Sequence, residues 1–367
     1  MKKKNSIDKW LFWTVCVLLA AGFFILISAS LGMMTRTSGA EFSDIVRQQA
    51  FFGLGIGGVL FLLAVKMNYK LLTRFSLFIF AAGVVLSFLV FVPQLGFSHG
   101  GARRWIKYGP IFFQPSEILK FGLVIYFSAL ISSKKHPIGD FKKGFIPFLA
   151  VSAVASLPVV LQKDVGTLSV MLASSLGLFF LGGGKWKHFL IALAVVALSL
   201  GVLIKTEPYR MSRMTVFLNP EHDPQGAGYQ LRQSLIAIGS GGAFGKGFGM
   251  SAQKFNYLPE PVNDSIFAVF AEEFGFLGGV LLIGAFAFFA QRGFMVSAAA
   301  PDDFSRLLAG GIVIMITAQT FINIAAMVGL FPLTGVPLVF VSKGGTALMM
   351  ALAEVGVLLN ISRFRRR

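Results

Sequence analysis

The fold class is decided by the stretch Trp10-LFWTVCVLLAAGFFILISAS-Leu31, which carries no charged residue. A helix that spans a bilayer needs about 20 predominantly apolar residues, so this stretch is long enough to cross one. Four lysines precede it, as in a cleavable signal peptide, but it exceeds the roughly 7–15 apolar residues of such a signal. The lysines are Lys2, Lys3, Lys4 and Lys9. We therefore predict that the stretch is retained as the first membrane span.

The chain as a whole is also strongly apolar. Of its 367 residues, 55% are hydrophobic and 13% are charged, and the mean hydropathy is +0.75. A soluble domain has about a quarter of its residues charged. Comparable apolar runs recur and predict an all-α polytopic membrane protein with about ten transmembrane helices. The runs are Trp10–Leu31, Ala50–Val65, Phe75–Phe97, Pro115–Ile131, Phe145–Leu161, Val165–Leu181, Phe189–Ile204, Asp264–Ala290, Leu307–Val328 and Leu338–Ile361.

Basic residues determine the predicted orientation. The net charge is +17, but the bases lie in short gaps between apolar runs rather than on one soluble face, which argues against nucleic-acid binding. The short loops and tails on the side of the termini carry more than twice the Lys and Arg of the short loops opposite. The positive-inside rule therefore places both termini in the cytoplasm. Residues 205–263 then form a large extracytoplasmic loop between helices 7 and 8, within a single membrane domain over residues 1–367.

Polar motifs gather in the predicted outer loops, and we infer that function lies at the outer mouth of the protein. One motif, GARRWI, contains Arg103 and Arg104. A guanidinium fork matches phosphate oxygens well, so this pair indicates an anionic ligand in the outer leaflet. Arginines that snorkel toward the interface are the structural alternative.

A second motif, FQPSEILK, ends at Lys120. Its proline suits the first turn of a helix, and Glu117 complements the helix dipole. Lys120 does not fit that structural role, because a cation near the N-terminal end of a span opposes the dipole. Glu117 and Lys120 are three residues apart and share a helix face, so they line a functional cavity or form a structural ion pair.

Two aspartates precede predicted spans. Asp164 lies in a short turn before Gly166 and Thr167, so it either caps a helix or belongs to the outer site. Asp264 either stabilises the N-terminal end of the eighth span or has a functional role in the outer site.

A stripe of small residues follows Asp264 on one helix face, at Ala268, Ala271 and Gly275. Such a stripe permits close helix packing or a groove for a lipid tail. At 3.6 residues per turn, the direction of the Glu272 side chain around the helix axis differs from that of the stripe by about 80°, whereas Glu273 points away from the stripe. Glu272 is therefore the better candidate for a residue that supports the site.

Several chemistries are excluded by spacing. The histidines offer no zinc-binding pattern, and they are His99, His136, His188 and His222. The glycine-rich GGAFGKG at 241–247 is one residue short of a P-loop and lacks its Ser or Thr, so no nucleotide site is expected. Cys16 is the only cysteine, so no internal disulfide forms. An outward-facing enzyme without ATP must use a donor that arrives already activated.

Six motifs in order carry a resemblance to a known family. They are GARRWI at 101–106, FQPSEILK at 113–120, DVGT at 164–167, YQ with IGSGG within 229–242, YLPEPVNDSIFAVFAEEFGF at 257–276, and LTGVPL with VSKGG within 333–345. Over essentially its whole length the chain resembles the SEDS family, that of FtsW, RodA and SpoVE. Gln253 and Lys254, just ahead of Tyr257, look more like FtsW than RodA.

The resemblance implies a peptidoglycan glycosyltransferase of the bacterial cytoplasmic membrane that is active at the outer face. Its substrate would be lipid II, a polyprenyl-pyrophosphate sugar. Its partners would be a class B penicillin-binding protein and other divisome proteins, and a divalent cation, Mg²⁺ or Mn²⁺, is a candidate cofactor. A septal, FtsW-like role is expected, with a RodA-like elongation role or lipid II flipping as alternatives.

The family's functional residues carry over by motif. Asp264 matches the essential aspartate and is the candidate metal ligand, and three cavity residues match at Arg103, Glu117 and Lys120. The further residues expected to bind substrate are Arg104, Gln114, Asp164, Glu260, Glu272, Ser342 and Gly344. Two positions depart from the family pattern: Lys163 stands where a proline is common, and Lys343 replaces the usual tyrosine before Gly-Gly.

The chemistry of such a transfer agrees with these assignments. Displacement at an activated sugar needs a base for the acceptor hydroxyl and positive charge for the departing pyrophosphate. Asp264 is predicted as the base, and Arg103 with Lys120 as the clamp. A single carboxylate favours one inverting displacement. A transporter would place polar sites near the midplane between repeated halves, and we find no repeat, while a non-catalytic scaffold would leave Lys120 and Asp264 unexplained.

Overall fold

The computed structural model describes residues 6–34, 40–99, 102–108, 111–133, 137–219, 223 and 225–364. The helices are α1 (Lys9–Met34), α2 (Phe42–Lys66), α3 (Lys70–Arg74), α4 (Ser76–Phe91), α5 (Pro115–Ser132), α6 (Phe141–Leu161), α7 (Val165–Leu181), α8 (Trp186–Thr206), α9 (Pro208–Leu218), α10 (Ala227–Ser240), α11 (Ile266–Ala298), α12 (Asp303–Met327) and α13 (Gly345–Ser362). Residues used in the sequence analysis that lie outside the described ranges are Lys2, Lys3, Lys4, Gly101, His136, His222 and the basic tail at 365–367.

The helices follow the predicted apolar runs. Within the described ranges, eight helices are long and apolar enough to cross a membrane, and α4 and α7 are shorter apolar helices. Each of these ten coincides with one of the ten predicted runs, so the predicted helical membrane fold is confirmed. That all ten cross the membrane stays a prediction.

Two predicted spans are partly non-helical. The run Phe75–Phe97 ends as a helix at Phe91, because the residue before a proline is held in extended backbone. Val92, which precedes Pro93, has φ −68° and ψ 121°. The run Leu338–Ile361 becomes helical only at Gly345, since residues 338–344 instead bond to the segment that leads into α11.

A small antiparallel sheet precedes α5 and is an addition to the predicted helical fold. Its strands are β1 (Gly96–His99), β2 (Ala102–Tyr108) and β3 (Ile111–Phe113), in that order. Lys107 on β2 places its ammonium 5.5 Å from the Phe97 ring and 5.2 Å from the Phe112 ring, which ties the strands together. The sheet puts the GARRWI motif on a strand, where successive side chains point to opposite faces.

Helix α12 lies at the centre of the fold. It packs against α5, α7 and α11, and α13 packs against α2. Most of α5, α12 and α13 is buried inside the protein, whereas almost none of α8 is. The buried helices therefore form the frame on which the polar residues are positioned, and α8 lies at its rim.

The segment 205–263 is folded rather than a simple loop. It contains α9 and α10, followed by irregular chain that packs on α11. The segment approaches α11 so closely at Gly241 that a Cβ on this residue would lie 2.1 Å from the Ala271 carbonyl oxygen. The stripe of small residues on α11 therefore serves close packing, not an open groove for a lipid tail.

Helix α11 is broken at Gly275, which has φ 67° and ψ −166°. The carbonyls of residues 272–273 accept hydrogen bonds from the amides of 246–247, and the amides of 276–277 donate to the carbonyls of 242–243. The segment thus replaces the hydrogen bonds that a continuous helix would make. Glycine is required at this point, because its φ is left-handed and a Cβ would lie 2.3 Å from a backbone nitrogen of the segment.

Candidate active site

Asp264 lies just before α11, where the long segment meets the helix. Its side chain is buried, with 6% exposed. Oδ2 accepts a hydrogen bond from Gln230 Nε2 at 3.1 Å, whereas Oδ1 has no hydrogen-bond partner within the described ranges. Buried polar atoms are normally hydrogen-bonded, so a buried carboxylate oxygen without a partner is a candidate for a contact that the protein itself does not supply.

Burial gives this carboxyl group an unusual acidity. It raises the pKa of Asp264 from 3.8 to about 6, even though the positive charge of Arg213 and the hydrogen bond from Gln230 oppose the rise. The negative charge of Glu260 adds to it. At neutral pH the group is mostly ionised and can take up a proton. A general base is most effective when its pKa lies near the working pH, and Asp264 meets that condition.

Two arginines converge with Asp264 beside Gly335. A Cβ built on Gly335 would lie 3.9 Å from Arg104 Nη1, 3.9 Å from Asp264 Oδ2 and 4.0 Å from Arg213 Nη1. Gly335 has φ 73°, a left-handed conformation that favours glycine. Glycine here leaves open a small space bordered by one carboxylate and two guanidinium groups. That combination suits a substrate that has a proton to give and a phosphate to be held.

Each arginine is fixed to the protein by a backbone carbonyl. Arg213, on α9, donates from Nη1 to the Leu333 carbonyl at 2.7 Å. Arg104, on β2, donates from Nη2 to the Lys163 carbonyl at 3.0 Å. These bonds hold the guanidinium groups in place before any ligand arrives, which is what preorganised charge stabilisation requires.

Asp164 combines the two roles that the sequence left open. Its carboxylate accepts from the Thr167 amide at 3.1 Å and from Thr167 Oγ1 at 2.9 Å, so it caps α7. Its Oδ2 also lies 3.5 Å from Arg104 Nε. The cap of α7 therefore also orients one of the two arginines.

The predicted clamp of Arg103 with Lys120 is not formed. Arg103 and Arg104 are neighbours on β2, at the point where the register between β1 and β2 shifts, and their side chains have different partners. Arg104 faces Asp164, while Arg103 is exposed and donates from Nε to Ser98 Oγ at 3.1 Å. Arg104 with Arg213 takes the position near the carboxylate that was predicted for the clamp.

Lys120 and Glu117 form the ion pair that their spacing predicts. Lys120 Nζ lies 2.9 Å from Glu117 Oε1, and it donates to Gln319 Oε1 at 2.6 Å. Beside them lies a small cavity, in which the centre of a water molecule can occupy about 20 Å³. That is enough for about one water molecule. The pair is therefore both an ion pair and part of a cavity wall, and a role for Lys120 in holding the substrate stays a prediction.

Ser342 and Gly344 hold the chain that lies against the start of α11. Ser342 Oγ donates to the Asn263 carbonyl at 2.6 Å and accepts from the Leu338 amide at 2.8 Å. The Gly344 amide donates to Gln49 Oε1 at 3.2 Å. Both were predicted to bind substrate, yet these polar groups contact protein, so the geometry favours a positioning role.

Asn323 completes this support from the central helix. Its Nδ2 donates to the Asp264 carbonyl and to the Val336 carbonyl, each at 2.8 Å. The amide of Lys343 donates to the Val262 carbonyl at 2.8 Å. Lys343 therefore contributes through its backbone, which any residue supplies, and its departure from the family pattern leaves this contact unchanged.

Glu272 and Glu273, at the other end of the first part of α11, are structural. Glu272 accepts from Lys246 Nζ at 2.7 Å, from Ser251 Oγ at 2.5 Å and from the amides of 252–253. Glu273 pairs with Lys254 Nζ at 2.7 Å. The support role predicted for Glu272 agrees with this geometry, whereas its oxygens are too fully engaged to favour a substrate contact.

The two remaining predicted residues lie at the edges of this arrangement. Gln114 is buried at the N-cap position of α5 without a side-chain capping bond. Glu260 is exposed, has φ 50°, and accepts a hydrogen bond from Asn263 Nδ2. Within the described ranges no group of three His, Cys, Asp or Glu side chains is placed to hold a metal ion.

Three residues of the site are missed by sequence analysis. Arg213 lies in a long segment, where basic residues are discounted as topology signals. Gln230 falls inside a quoted motif but was given no chemical role. Asn323 is an amide within an apolar span, and a polar residue in that setting is itself a signal for a specific contact.

The fold and the site together define a polytopic helical membrane protein with a buried carboxylate beside two guanidinium groups. The sequence profile of a family described as "Cell cycle protein", that of FtsW, RodA and SpoVE, matches residues 9–367. The chain is 39% identical to stage V sporulation protein E of Bacillus subtilis, over 99% of both chains. It is 37% identical to a probable peptidoglycan glycosyltransferase FtsW of Coxiella burnetii, again over 99% of both. The chain belongs to the FtsW, RodA and SpoVE family.

Solved structures show the same fold. A chain of a peptidoglycan synthase complex, solved in work on the coordination of polymerization and crosslinking, matches with TM-score 0.80 and 26% identity over 97% of this chain and 98% of that chain. The rod shape determining protein RodA of Thermus thermophilus matches with TM-score 0.70 and 28% identity over 98% of both.

Proposed function

We propose that this protein is a peptidoglycan glycosyltransferase that polymerises lipid II into glycan strands. The observation that carries the proposal is the unpartnered Oδ1 of the buried Asp264, beside the partly exposed Arg104 and Arg213. Relatives named as probable peptidoglycan glycosyltransferases share 35–37% of its sequence over nearly the whole chain. The site contains the two functions that glycosyl transfer from a pyrophosphate donor requires, a base and fixed positive charge.

In the proposed reaction, Asp264 Oδ1 takes the proton of the acceptor sugar hydroxyl. The acceptor oxygen forms a bond to the anomeric carbon of the donor as the bond from that carbon to the pyrophosphate oxygen breaks. The leaving pyrophosphate carries away the electron pair, and Arg104 and Arg213 stabilise its developing charge. One carboxylate with no covalent partner gives a single displacement and inversion at the anomeric carbon.

A divalent cation fits this site only in combination with the substrate. Asp264 offers one open carboxylate oxygen, and Mg²⁺ commonly binds one or two carboxylates together with substrate phosphates. Asp264 would hold the ion, and the ion would add positive charge near the pyrophosphate. The residues of the chain would still provide the proton acceptor and the two guanidinium groups.

We further propose that the protein lies in the bacterial cytoplasmic membrane with Asp264 facing outside, and that it works with a class B penicillin-binding protein and other divisome proteins in septal synthesis. The asymmetry of basic residues supports the orientation. The structural similarity to a chain of a peptidoglycan synthase complex supports the partner, and the FtsW relatives support the septal role over elongation.

The test is polymer formation from purified lipid II by the purified chain, with and without its partner. Glycan strands are expected, and their yield should rise with the partner present. A parallel assay follows transfer of fluorescent lipid II across vesicle membranes. Transfer across the vesicle membrane without any polymer would contradict the proposal and favour the flippase alternative.

A further inference from the structure

A small cavity inside the helical core lies outside the site described above. Its polar wall is formed by five side chains from α5, α12, α13 and the chain before α13, and Asp264 is not among them. These side chains are Glu117, Lys120, Gln319, Ser342 and Glu354. Its size, about 20 Å³ of space for water centres, limits any occupant to one small species.

Glu354 is the unexplained member of this wall. It lies on α13 with 4% of its surface exposed, and no sequence motif includes it. Within the described ranges its carboxyl group makes no hydrogen bond and no ion pair. Among the described residues, the only ammonium that lines the cavity is that of Lys120, which is engaged by Glu117 at 2.9 Å and by Gln319 at 2.6 Å.

The charges of the cavity do not balance when all its groups are ionised. Two carboxylates, Glu117 and Glu354, face one ammonium, Lys120, and no other Asp, Glu, Lys, Arg or His of the described chain lines the cavity. Ionisable groups inside a membrane protein pair with one another because unpaired charge is strongly disfavoured there. Lys120 neutralises Glu117, which leaves Glu354 without a counter-charge.

We propose that the cavity is a proton-binding site, in which Glu354 holds one proton and presents it to the cavity. Binding converts the carboxylate to a carboxylic acid and leaves the Glu117–Lys120 ion pair intact. The site is then neutral, and the acid provides a hydrogen-bond donor beside the oxygen-lined wall. A proton is the smallest species that restores the balance, and it agrees with the size of the cavity.

The cavity also borders the chain that supports Asp264. Gln319 donates from Nε2 to the Pro337 carbonyl at 3.1 Å, and Ser342 Oγ donates to the Asn263 carbonyl at 2.6 Å. Ser342 therefore fixes the backbone just before the candidate base, and Gln319 fixes the chain before α13 that carries Ser342. A change in the charge of the cavity is expected to act first on these contacts.

The proposal can be tested without any activity assay, by infrared spectroscopy of the full chain in lipid nanodiscs. Hydrogen–deuterium difference spectra record the carbonyl stretch of a protonated carboxylic acid, which is absent from a carboxylate. The pH is kept mildly alkaline so that Asp264 is ionised. The wild type is expected to show such a band, and Glu354→Gln, which replaces the acid by a neutral group of the same shape, is expected to lose it.

Two further variants make the test specific. Glu273 is equally buried but is paired with Lys254 at 2.7 Å, so Glu273→Gln should keep the band. Lys120→Met removes the only ammonium that lines the cavity among the described residues, so Glu117 should also take a proton and the band should grow. The wild-type spectrum decides the question even when Glu354→Gln does not fold, because a spectrum without this band would mean that no carboxylic acid is held at this pH.

Three results would overturn the proposal. One is an undiminished band in Glu354→Gln or its loss in Glu273→Gln. Another is a band in Lys120→Met no larger than in the wild type. The third is a saturable rise in melting temperature with Na⁺ or K⁺ in the wild type that Glu354→Gln lacks, which would identify a metal cation as the occupant.

Discussion

The first part of α11 has acidic residues at both ends, and they differ in what their oxygens contact. At its far end, Glu273 accepts from Ser28 and Lys254, and Glu272 accepts from several donors, so both carboxylates are saturated. At its start, Asp264 accepts one hydrogen bond on Oδ2, and its buried Oδ1 has no partner among the described residues. All three groups are buried and lie in one motif. Burial and motif therefore do not separate a reactive carboxylate from a structural one, whereas the contacts of its oxygens do.

The largest effect is expected from Asp264→Asn, which changes the charge with little change in volume. General-base catalysis contributes about 10²- to 10⁴-fold, so polymer formation from lipid II should fall by at least the lower figure. The melting temperature should stay close to that of the wild type. Asp303→Asn, at an exposed carboxylate, serves as the control. Near wild-type polymerisation by Asp264→Asn would mean that this residue only starts α11.

The opposite result is expected at the saturated end of α11. Lys254→Met leaves the buried Glu273 without its counter-charge, and breaking such a pair costs about 3–5 kcal/mol. The variant should therefore unfold at a clearly lower temperature. Lys254→Met combined with Glu273→Gln removes both charges and should recover much of that stability. If the double variant is no more stable than the single one, the ion pair is not what holds the segment.

Arg213→Met tests whether the guanidinium groups act on charge that develops in the reaction. Loss of one preorganised donor typically costs about 10²-fold in turnover, so a fall of that order is expected. Arg103→Met is the matched control, because Arg103 is exposed and bonds to Ser98, so this variant should retain most activity. Equal losses of activity in the two variants would instead support the clamp predicted from sequence, in which Arg103 holds the pyrophosphate.

The pH profile should report Asp264 directly. The base must be ionised, and its pKa is raised to about 6, so the rate should be half-maximal near that pH and fall at lower pH. Because Arg213 opposes the rise, Arg213→Met should move this acid limb to higher pH. Because the pKa of Asp264 is higher in the folded than in the unfolded protein, its carboxyl group contributes most to the free energy of unfolding at low pH. That contribution is lost as pH rises through about 6. Rates independent of pH over this range would exclude Asp264 as the base.

The smallest effect is expected at Lys163, the position that departs from the family pattern. Its Nζ lies 2.9 Å from Glu207 Oε2, but the two side chains are 51% and 33% exposed. Exposed pairs contribute about 0–1 kcal/mol, so Lys163→Ala should lower the melting temperature only slightly, and less at high salt. A double-mutant cycle with Glu207→Ala measures the pair itself. A large loss would show that this contact has a role beyond a surface ion pair.

Much of the fold could be predicted because membrane spans are a local property of sequence. The ten apolar runs and the start of α5 at Pro115 need only composition and a proline signal, and the structure agrees with them. The cap at Asp164 is equally local. The sheet was missed because its three strands are short and lie between two hydrophobic runs, where no clear alternation over several residues is visible.

The site was only partly predictable because its contacts are long-range. Asp264 stands out at the start of a span, but its neighbours Arg213 and Gln230 come from α9 and α10, which the sequence showed only as one polar segment. Choosing Arg104 over Arg103 requires their contacts, because Arg104 reaches Lys163 and Asp164 whereas Arg103 bonds to Ser98. The pairing of Lys120 could be predicted from helix spacing, whereas the size of the cavity beside it could not.

The exchange of hydrogen bonds at Gly275 has a mechanical consequence for Asp264, the candidate base. Because residues 272–273 and 276–277 bond to the segment rather than to each other, a force along the transmembrane part of α11 is not transmitted through a continuous helical spine. Part of it passes into residues 242–247, which bond to both sides of the joint. A load applied to the segment therefore acts also on the first part of α11, which begins beside Asp264.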